Sequence, residues 1–342
     1  MPAVRPFRAL RYSGAAGDLS SLVAPPYDVI SDEARLDYLA RNAYNVVHLT
    51  LPDTPEQAAH DLANWRLGEI VVPDEPGFWW IAQGYTGPDG VARTREGFAA
   101  SIEVVPYEAE QVLPHERTHA GPKEGRLRLL RATRVQLEPI FLLYEAEPLI
   151  ERPPGDPLLD VEEGGVRTRA WWIPWEGELE IGSPLLIADG HHRYETAVAY
   201  RQENPEATHM LAVLVSARAP GLEIFPTHRV VQHVGDVPGV EVDAPGDGVT
   251  LYRDGKFVRV ETDDDFGPRV VESFAPEGVS YTAYAADAIA AVDSGAAEAA
   301  FLLQPVTVEQ VARFAYAGHV MPQKSTFFYP KLTSGLLFHP IG

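Results

Sequence analysis

The pattern of apolar and polar positions predicts buried strands and amphipathic helices in alternation. Continuous apolar runs at residues 139–144, 184–188 and 210–215 predict strands that are covered on both faces. Residues 191–202 between the last two runs predict a helix. The order strand, turn, helix, strand implies a βαβ unit, with a right-handed crossover if the two strands are parallel.

The first part of the chain predicts a similar mixture. Residues 46–51 predict a further strand, and residues 77–83 and 94–104 predict a hairpin around a Gly-Pro-Asp-Gly turn. Residues 122–134 suit a helix. We therefore expect a mixed α/β fold (α+β in character) with helices packed on a sheet.

The amino-acid composition of the chain changes after residue 231. Residues 232–300 contain 14 acidic residues against 4 lysines or arginines, with dense turn signals. We predict a main α/β domain over residues 1–231, an acidic lobe or insertion over 232–300, and a C-terminal segment, 301–342, that returns to the core.

Composition then removes several classes of function. The 342 residues include no cysteine, which excludes a thiol nucleophile, a zinc–thiolate site and a disulfide scaffold. A formal net charge of -21 disfavours binding to DNA or RNA. We find no apolar run near the ~20 residues of a membrane span and no signal-peptide pattern, so we expect a cytoplasmic protein without membrane partners. Homo-oligomerisation stays open.

The most specific local signal is the sequence IADGHHRYETA at residues 187–197. A buried strand ends at Asp189, Gly190 permits a tight turn, and a helix begins with His191, His192 and Arg193. Helix N-termini attract anions, and two imidazoles with a guanidinium there favour a phosphate. Asp189 could orient a histidine or hold a metal that bridges phosphates. The structural alternative is that Asp189 caps the helix and pairs with Arg193.

A basic island stands out in this acidic chain at residues 111–134. Lys123 and Arg126, spaced i and i+3 on the predicted helix, could clamp a phosphate. His115 and Glu116 lie on a predicted loop and are candidates for acid–base catalysis. The alternative is a solvated helix face whose arginines pair with acidic residues elsewhere.

Two further segments could contribute. In MPQKSTFFYPKL, at residues 321–332, Lys324 and Lys331 could reach an anion, and Ser325 and Thr326 could bind phosphate or magnesium. The alternative is an ordered strand that packs through its aromatic residues. The tetrapeptide at residues 226–229 repeats the His-Arg pair beside a strand, with a surface turn as its alternative. No P-loop, GxGxxG or HExxH pattern is present.

The chain resembles the DUF 1015 family of bacterial and archaeal proteins over nearly its whole length. The resemblance is carried by six motifs that occur in order along the sequence. They are APPYDVIS at residues 24–31, PHERT at 114–118, GPKEGR at 121–126, EPIFLLY at 138–144, IADGHHRYETA at 187–197 and MPQKSTFFYPKL at 321–332. The family name itself carries no chemistry.

The segment GHHRYETA also resembles the phosphate-binding motif of sulfiredoxins, ParB-type nucleotidases and archaeal free-serine kinases. The likeness implies a ParB/sulfiredoxin-like core in which Gly190, His192, Arg193 and His191 hold nucleotide phosphates. The sulfiredoxin cysteine falls at His191, so sulfinic-acid reduction is excluded, and the charge argues against DNA clamping. The remaining implication is phosphoryl transfer between ADP or ATP and a small hydroxy compound, with free L-serine or phosphoserine expected.

In that reading each candidate residue has a role. Lys123, Arg126 and Lys324 would neutralise phosphate charge, Glu116 or Asp28 would be the base, and Asp189 would help to hold Mg²⁺. Two alternatives are a phosphoserine phosphatase that needs no nucleotide and a nucleotide- or metabolite-binding protein without turnover.

Overall fold

The computed structural model describes residues 2–116, 120–264, 266–275 and 277–341. It has a mixed α/β fold. Close contacts divide the chain into two compact units. The first unit comprises Met1–Pro114, Thr118–Leu222 and Pro330–Gly342, and the second comprises His115–Arg117 and Glu223–Tyr329. These units do not coincide with the three predicted segments, whose boundaries stay a prediction.

The helices and strands are assigned as follows. The helices are α1 (Asp32–Arg41), α2 (Val47–Thr50), α3 (Pro55–Leu67), α4 (Ala120–Thr133), α5 (His191–Glu203), α6 (Gly267–Phe274), α7 (Ala285–Asp293) and α8 (Val308–Tyr316). The strands are β1 (Val4–Arg5), β2 (Leu10–Tyr12), β3 (Val71–Pro73), β4 (Gly77–Thr86), β5 (Ala92–Glu103), β6 (Val112–Leu113), β7 (Val135–Gln136), β8 (Ile140–Tyr144), β9 (Leu159–Glu163), β10 (Val166–Pro174), β11 (Leu185–Asp189), β12 (His209–Ser216), β13 (Glu223–Phe225), β14 (His228–Val231), β15 (Gly239–Val242), β16 (Thr250–Arg253), β17 (Lys256–Val260), β18 (Val279–Thr282), β19 (Ala299–Leu302), β20 (Phe327–Tyr329) and β21 (His339–Pro340).

The main sheet of the first unit has the order β6-β11-β8-β12-β5-β4-β10-β9, with β1 beside β5. The predicted hairpin is confirmed as β4 and β5, which pair antiparallel. The predicted βαβ unit is wrong. Strand β8 lies between β11 and β12, antiparallel to the first and parallel to the second, so β11 and β12 run in opposite directions. An apolar run identifies a buried strand but not its neighbours.

Strands β8, β11 and β12 lie at the centre of the apolar core. Ile140 and Leu142 of β8, Ile187 of β11 and Ala212 of β12 are completely buried. Helix α5 packs on this core through Tyr194, which is also fully buried. Burial on both faces explains why these strands read as continuous apolar runs, and it fixes the end of β11 against its neighbours.

Residues 46–51 were predicted to form a strand, and this prediction is wrong. They form the short helix α2, in which Val47 and Leu49 are fully buried. The Asn45 side chain accepts a hydrogen bond from the Val47 N–H at 3.0 Å, which is a local alternative to strand pairing. Short apolar runs fit a buried helical turn as well as a strand.

The second unit contains a six-stranded sheet in the order β15-β17-β16-β19-β14-β18, and a separate pair formed by β13 and β20. His228 and Arg229 belong to β14 and are buried. The surface turn considered for residues 226–229 is therefore wrong. Within the described ranges, no helix combines the length and the apolar character that crossing a bilayer requires.

Candidate functional site

The candidate site begins where β11 ends and α5 starts. Gly190 is the N-cap residue of α5 and has left-handed backbone angles, with φ of 97°. A Cβ atom at this position would lie 2.7 Å from Cγ2 of Ile140. Both the backbone angle and the close approach therefore require glycine. Glycine itself offers no side-chain cap at this N-cap position, and His191, His192 and Arg193 form the first turn of the helix.

Asp189 is the centre of an ion-pair cluster. Its Oδ2 atom accepts a hydrogen bond from Nη2 of Arg193 at 2.6 Å, and its Oδ1 atom accepts one from Nζ of Lys331. Burial alone would raise the pKa of Asp189, but Lys331 and Arg193 outweigh it and hold this pKa well below its usual range. The predicted alternative of an Asp189–Arg193 pair is thus confirmed.

A buried arginine anchors the segment that carries Lys331. The Arg95 guanidinium donates to Oε1 of Gln83 at 2.5 Å and to the Pro330 carbonyl at 2.7 Å. It also lies 4.3 Å from the centre of the Phe141 ring. Burial lowers the pKa of Arg95 to about 10. Because Pro330 directly precedes Lys331, these contacts position the lysine beside the end of β11.

Glu138 and the segment with Asp28 form the acidic side of the site. Oε1 of Glu138 accepts hydrogen bonds from the Tyr27 N–H at 3.0 Å and from the Ser334 hydroxyl at 2.8 Å. Asp28, next along the chain, is exposed. Burial would lower the pKa of Arg193, but the surrounding carboxylates, which include Glu138 and Asp28, raise it. Asp28 is therefore within electrostatic reach of this guanidinium.

Arg126 lies on the same side of the first unit as Arg193. Its guanidinium stacks 4.0 Å from the centre of the Tyr27 ring and donates to the Thr50 carbonyl at 2.6 Å. Both arginines line a cavity between α4 and α5. The cavity is lined by Thr50, Arg126, Leu129, Leu130, Val135, Gln136, Leu137, Glu138, Arg193, Thr196, Ala197 and Met210.

The predicted partnership of Lys123 with Arg126 is not observed. Lys123 forms an ion pair with Glu195 at 3.5 Å and lines a different cavity, which Tyr107 and Glu195 also border. Lys123 and Arg126 are three residues apart on α4, but their side chains contact different parts of the protein. Of the two, only Arg126 lines the cavity that Arg193 also lines.

Five predicted residues come together in the second unit. His115 is fully buried and its Nε2 atom lies 2.9 Å from the Thr326 hydroxyl. Oε1 of Glu116 accepts the backbone N–H of Lys324 at 2.8 Å, and the buried Ser325 hydroxyl donates to a backbone carbonyl of the same segment at 2.6 Å. His115 and Ser325 are therefore buried and engaged by local hydrogen bonds, although His115 was predicted to lie on a loop.

The residues that follow in the PHERT motif, Arg117 and Thr118, lie outside the described residues. The described residues contain no cluster of three or more His, Asp or Glu side chains that could hold a metal ion. Asp189 does not fit the predicted role of metal ligand, since Lys331 and Arg193 engage both of its oxygens. We therefore derive no step through a metal.

Sequence reasoning missed two residues of this site. Glu138 begins the motif EPIFLLY, and the sequence analysis assigned it no role. Arg95 lies within the predicted hairpin, where an arginine is usually exposed. Only its burial in the structure reveals that it anchors the Lys331 segment.

The fold and the site define a mixed α/β protein with a cation-rich strand-to-helix turn. The chain belongs to the family described as "Protein of unknown function (DUF1015)", whose model matches residues 4–243. No curated protein matches the sequence.

Among solved structures, one described as "Free serine kinase in complex with AMP" is 16% identical with a TM-score of 0.43, and the match covers 70% of this chain and 91% of that chain. The structure "SbnI with C-terminal truncation from Staphylococcus aureus" is 12% identical with a TM-score of 0.46, covering 71% and 87%. A conserved hypothetical protein from Pyrococcus furiosus is 16% identical with a TM-score of 0.38, covering 68% and 93%.

Proposed function

We propose that the turn from Gly190 to Arg193 binds the phosphates of ADP or ATP, and that the protein transfers a phosphoryl group between this nucleotide and a small hydroxy metabolite. Free L-serine, or phosphoserine in the reverse direction, is the substrate we expect. The substrate class follows from the resemblance of GHHRYETA to the free-serine-kinase motif.

One observation carries the proposal. Gly190 begins α5 with left-handed angles, and His191, His192 and Arg193 form the first turn of the helix. Such a helix end is an anion site because its N–H groups and dipole point at the ligand. His191 and His192 occupy the first turn and are partly exposed. Arg193, in the same turn, is a cation that opposes the helix dipole by about 0.3–1 kcal/mol, a cost that a bound phosphate would offset.

The charged neighbours suit a phosphoryl group. Arg193 and Arg126 line one cavity, and Lys331 pairs with Asp189 at the end of β11. Positioning and charge neutralisation dominate catalysis of phosphoryl transfer. We assign neutralisation to Arg126, Arg193 and Lys331. Lys123 is paired with Glu195, which makes it a weaker candidate than the sequence indicated.

Asp28 is our candidate for the general base. It is exposed and within electrostatic reach of Arg193, whereas Glu116 accepts a backbone N–H and His115 is buried. In the forward step the serine hydroxyl oxygen attacks the β-phosphorus of ADP, a new O–P bond forms, and the bond to the AMP oxygen breaks. The hydroxyl proton passes to the Asp28 carboxylate, and the products are phosphoserine and AMP.

The test is phosphoserine formation from ADP and L-serine in buffer that contains Mg²⁺, followed by ³¹P NMR. We expect Asp28→Asn to lower the rate by about 10²- to 10⁴-fold, the usual contribution of a general base. The control Asp37→Asn removes another exposed carboxylate of the same region and should leave the rate unchanged. Equal rates for the two variants would remove Asp28 from the mechanism.

Binding is tested separately by thermal shift with ADP, ATP and phosphoserine. A ligand that binds only the native state stabilises it by RT ln(1 + [L]/Kd) and therefore raises Tm. We expect Arg193→Lys, which keeps the charge but loses the planar fork, to weaken the shift. If phosphoserine is hydrolysed at the same rate without nucleotide, the phosphatase alternative is correct. If none of the three compounds shifts Tm, the phosphate site does not exist.

A further inference from the structure

The cavity that contains Arg126 and Arg193 is mostly apolar. Its walls are formed by Leu129, Leu130, Val135, Leu137, Ala197 and Met210. Small-molecule sites are typically apolar with a few directed polar groups, and this lining has that character. A phosphate group alone would make no apolar contacts with these side chains.

The cavity extends along α5 away from the turn at Gly190. Arg193 lies in the first turn of the helix, and Thr196 and Ala197, one turn further, also line the cavity. Residues three and four apart share a helix face. A ligand whose phosphates meet the first turn would therefore place its next chemical group against Thr196 and Ala197.

Thr50 supplies an independent indication of a ligand. Its side chain is completely buried and lines the cavity, yet within the described part of the chain its hydroxyl has no hydrogen-bond partner. A buried hydroxyl without a partner costs about 1–3 kcal/mol. The carbonyl of the same residue accepts from Arg126 at 2.6 Å, so Thr50 lies beside the cationic part of the cavity.

We propose that this cavity binds the heteroaromatic base of the nucleotide, with the Thr50 hydroxyl bonded to a polar edge of that base. The inference rests on the proposed function, because it assumes that phosphates occupy the Gly190–Arg193 turn. A flat base presents apolar faces to the leucines and nitrogen atoms at its edge, which matches walls that are apolar apart from a few polar groups.

The experiment measures Kd by calorimetry for ADP, for pyrophosphate, which lacks both the base and the ribose, and for phosphoserine. Ala197→Met would extend an apolar chain into the cavity. We expect it to raise the Kd for ADP at least tenfold and to leave the Kd for pyrophosphate unchanged. The control Ala199→Met lies on the same helix but lines a different cavity, and it should change neither Kd.

Thr50→Val is the second variant and addresses the hydroxyl alone. It removes the unpaired donor with little change in volume, so the thermal stability of the free protein should stay the same or rise. Its ADP affinity should fall about tenfold, and its pyrophosphate affinity should not change. This variant decides the matter if Ala197→Met does not fold.

The outcomes separate this inference from the proposed function. Selective loss of ADP binding in either variant supports a base site. Wild-type protein that binds pyrophosphate as tightly as ADP, or variants that weaken both ligands equally or neither, would overturn the base site and leave the phosphate site standing. Wild-type protein that binds none of the three ligands would remove both.

Discussion

The ion-pair cluster around Asp189 makes a quantitative prediction about stability. Asp189→Asn keeps the shape of the side chain but removes the charge that faces Arg193 and Lys331. The side chains of the three residues are 13%, 10% and 21% exposed. Removing one partner of a buried ion pair leaves the other charges uncompensated and typically costs about 3–5 kcal/mol. We expect a loss of that size in the free energy of unfolding.

Urea denaturation measures this loss, and the chain offers a matched control. Asp160 pairs with Arg167 at 2.7 Å, but the two side chains are 36% and 60% exposed. Exposed pairs contribute about 0.2–1 kcal/mol, so Asp160→Asn should have a small effect. If Asp189→Asn costs no more than Asp160→Asn, Asp189 is effectively solvated and our description of the cluster is wrong.

The pH dependence gives a second readout of the same variant. The native pKa of Asp189 lies well below its usual range because of Lys331 and Arg193, which outweigh the opposing effect of burial. A carboxylate with a lowered native pKa stabilises the fold above its unfolded pKa of about 4, and this contribution is lost as the pH falls further. The stability difference between wild type and Asp189→Asn should therefore shrink on acidification below about pH 4.

Two further predictions concern backbone strain and a buried histidine. Gly190→Ala forces a Cβ to within 2.7 Å of Ile140 at a φ of 97°, so we expect it to lower the free energy of unfolding by about 2–5 kcal/mol in urea denaturation. The control Gly182→Ala has open space around it and should have little effect. Equal losses for the two variants would contradict the assigned turn. Burial lowers the pKa of His228 to about 4, and its Nδ1 accepts the Leu303 N–H. Between pH 6.5 and 4, His228 is protonated in the unfolded chain but stays neutral in the native protein. The free energy of unfolding should therefore fall by up to about 3 kcal/mol as the pH is lowered through this range. His228→Gln should flatten this slope, and an unchanged slope would refute it.

Local sequence patterns predicted those parts of the fold that depend on local interactions. Gly190 identified the turn because few other residues adopt its backbone angles, and α5 and the hairpin of β4 and β5 followed from periodicity. The helix at Val47–Thr50 was mistaken for a strand because a buried run of that length has no decisive period. The antiparallel relation of β11 to β12 depends on β8, which lies between them and comes from a distant part of the sequence.

The candidate site could be predicted only in part for a similar reason. The i to i+4 pair of Asp189 and Arg193 was one of two readings of the motif. The contact of Lys331 with Asp189 joins residues 142 positions apart, and the contact of Arg95 with Pro330 joins residues 235 apart. No local pattern encodes such contacts, since they depend on where the sheet places each strand end.

The charges of the first unit bear on how this acidic protein would hold a phosphate. The cations Arg126, Arg193 and Lys331 are opposed by the carboxylates of Asp28, Glu138 and Asp189. Those six charges balance formally, and the net charge of -21 on the whole chain repels anions at long range.

An excess of positive charge therefore cannot be the source of affinity. Under the proposed function, affinity would come from a donor held in a fixed direction, which is the Arg193 guanidinium that Asp189 orients. Directed donors of this kind discriminate by shape and lose less to added salt than a diffuse basic patch does. On this argument, Asp189 would contribute to the proposed phosphate binding because it fixes the direction of Arg193, although it carries the same sign of charge as the phosphate.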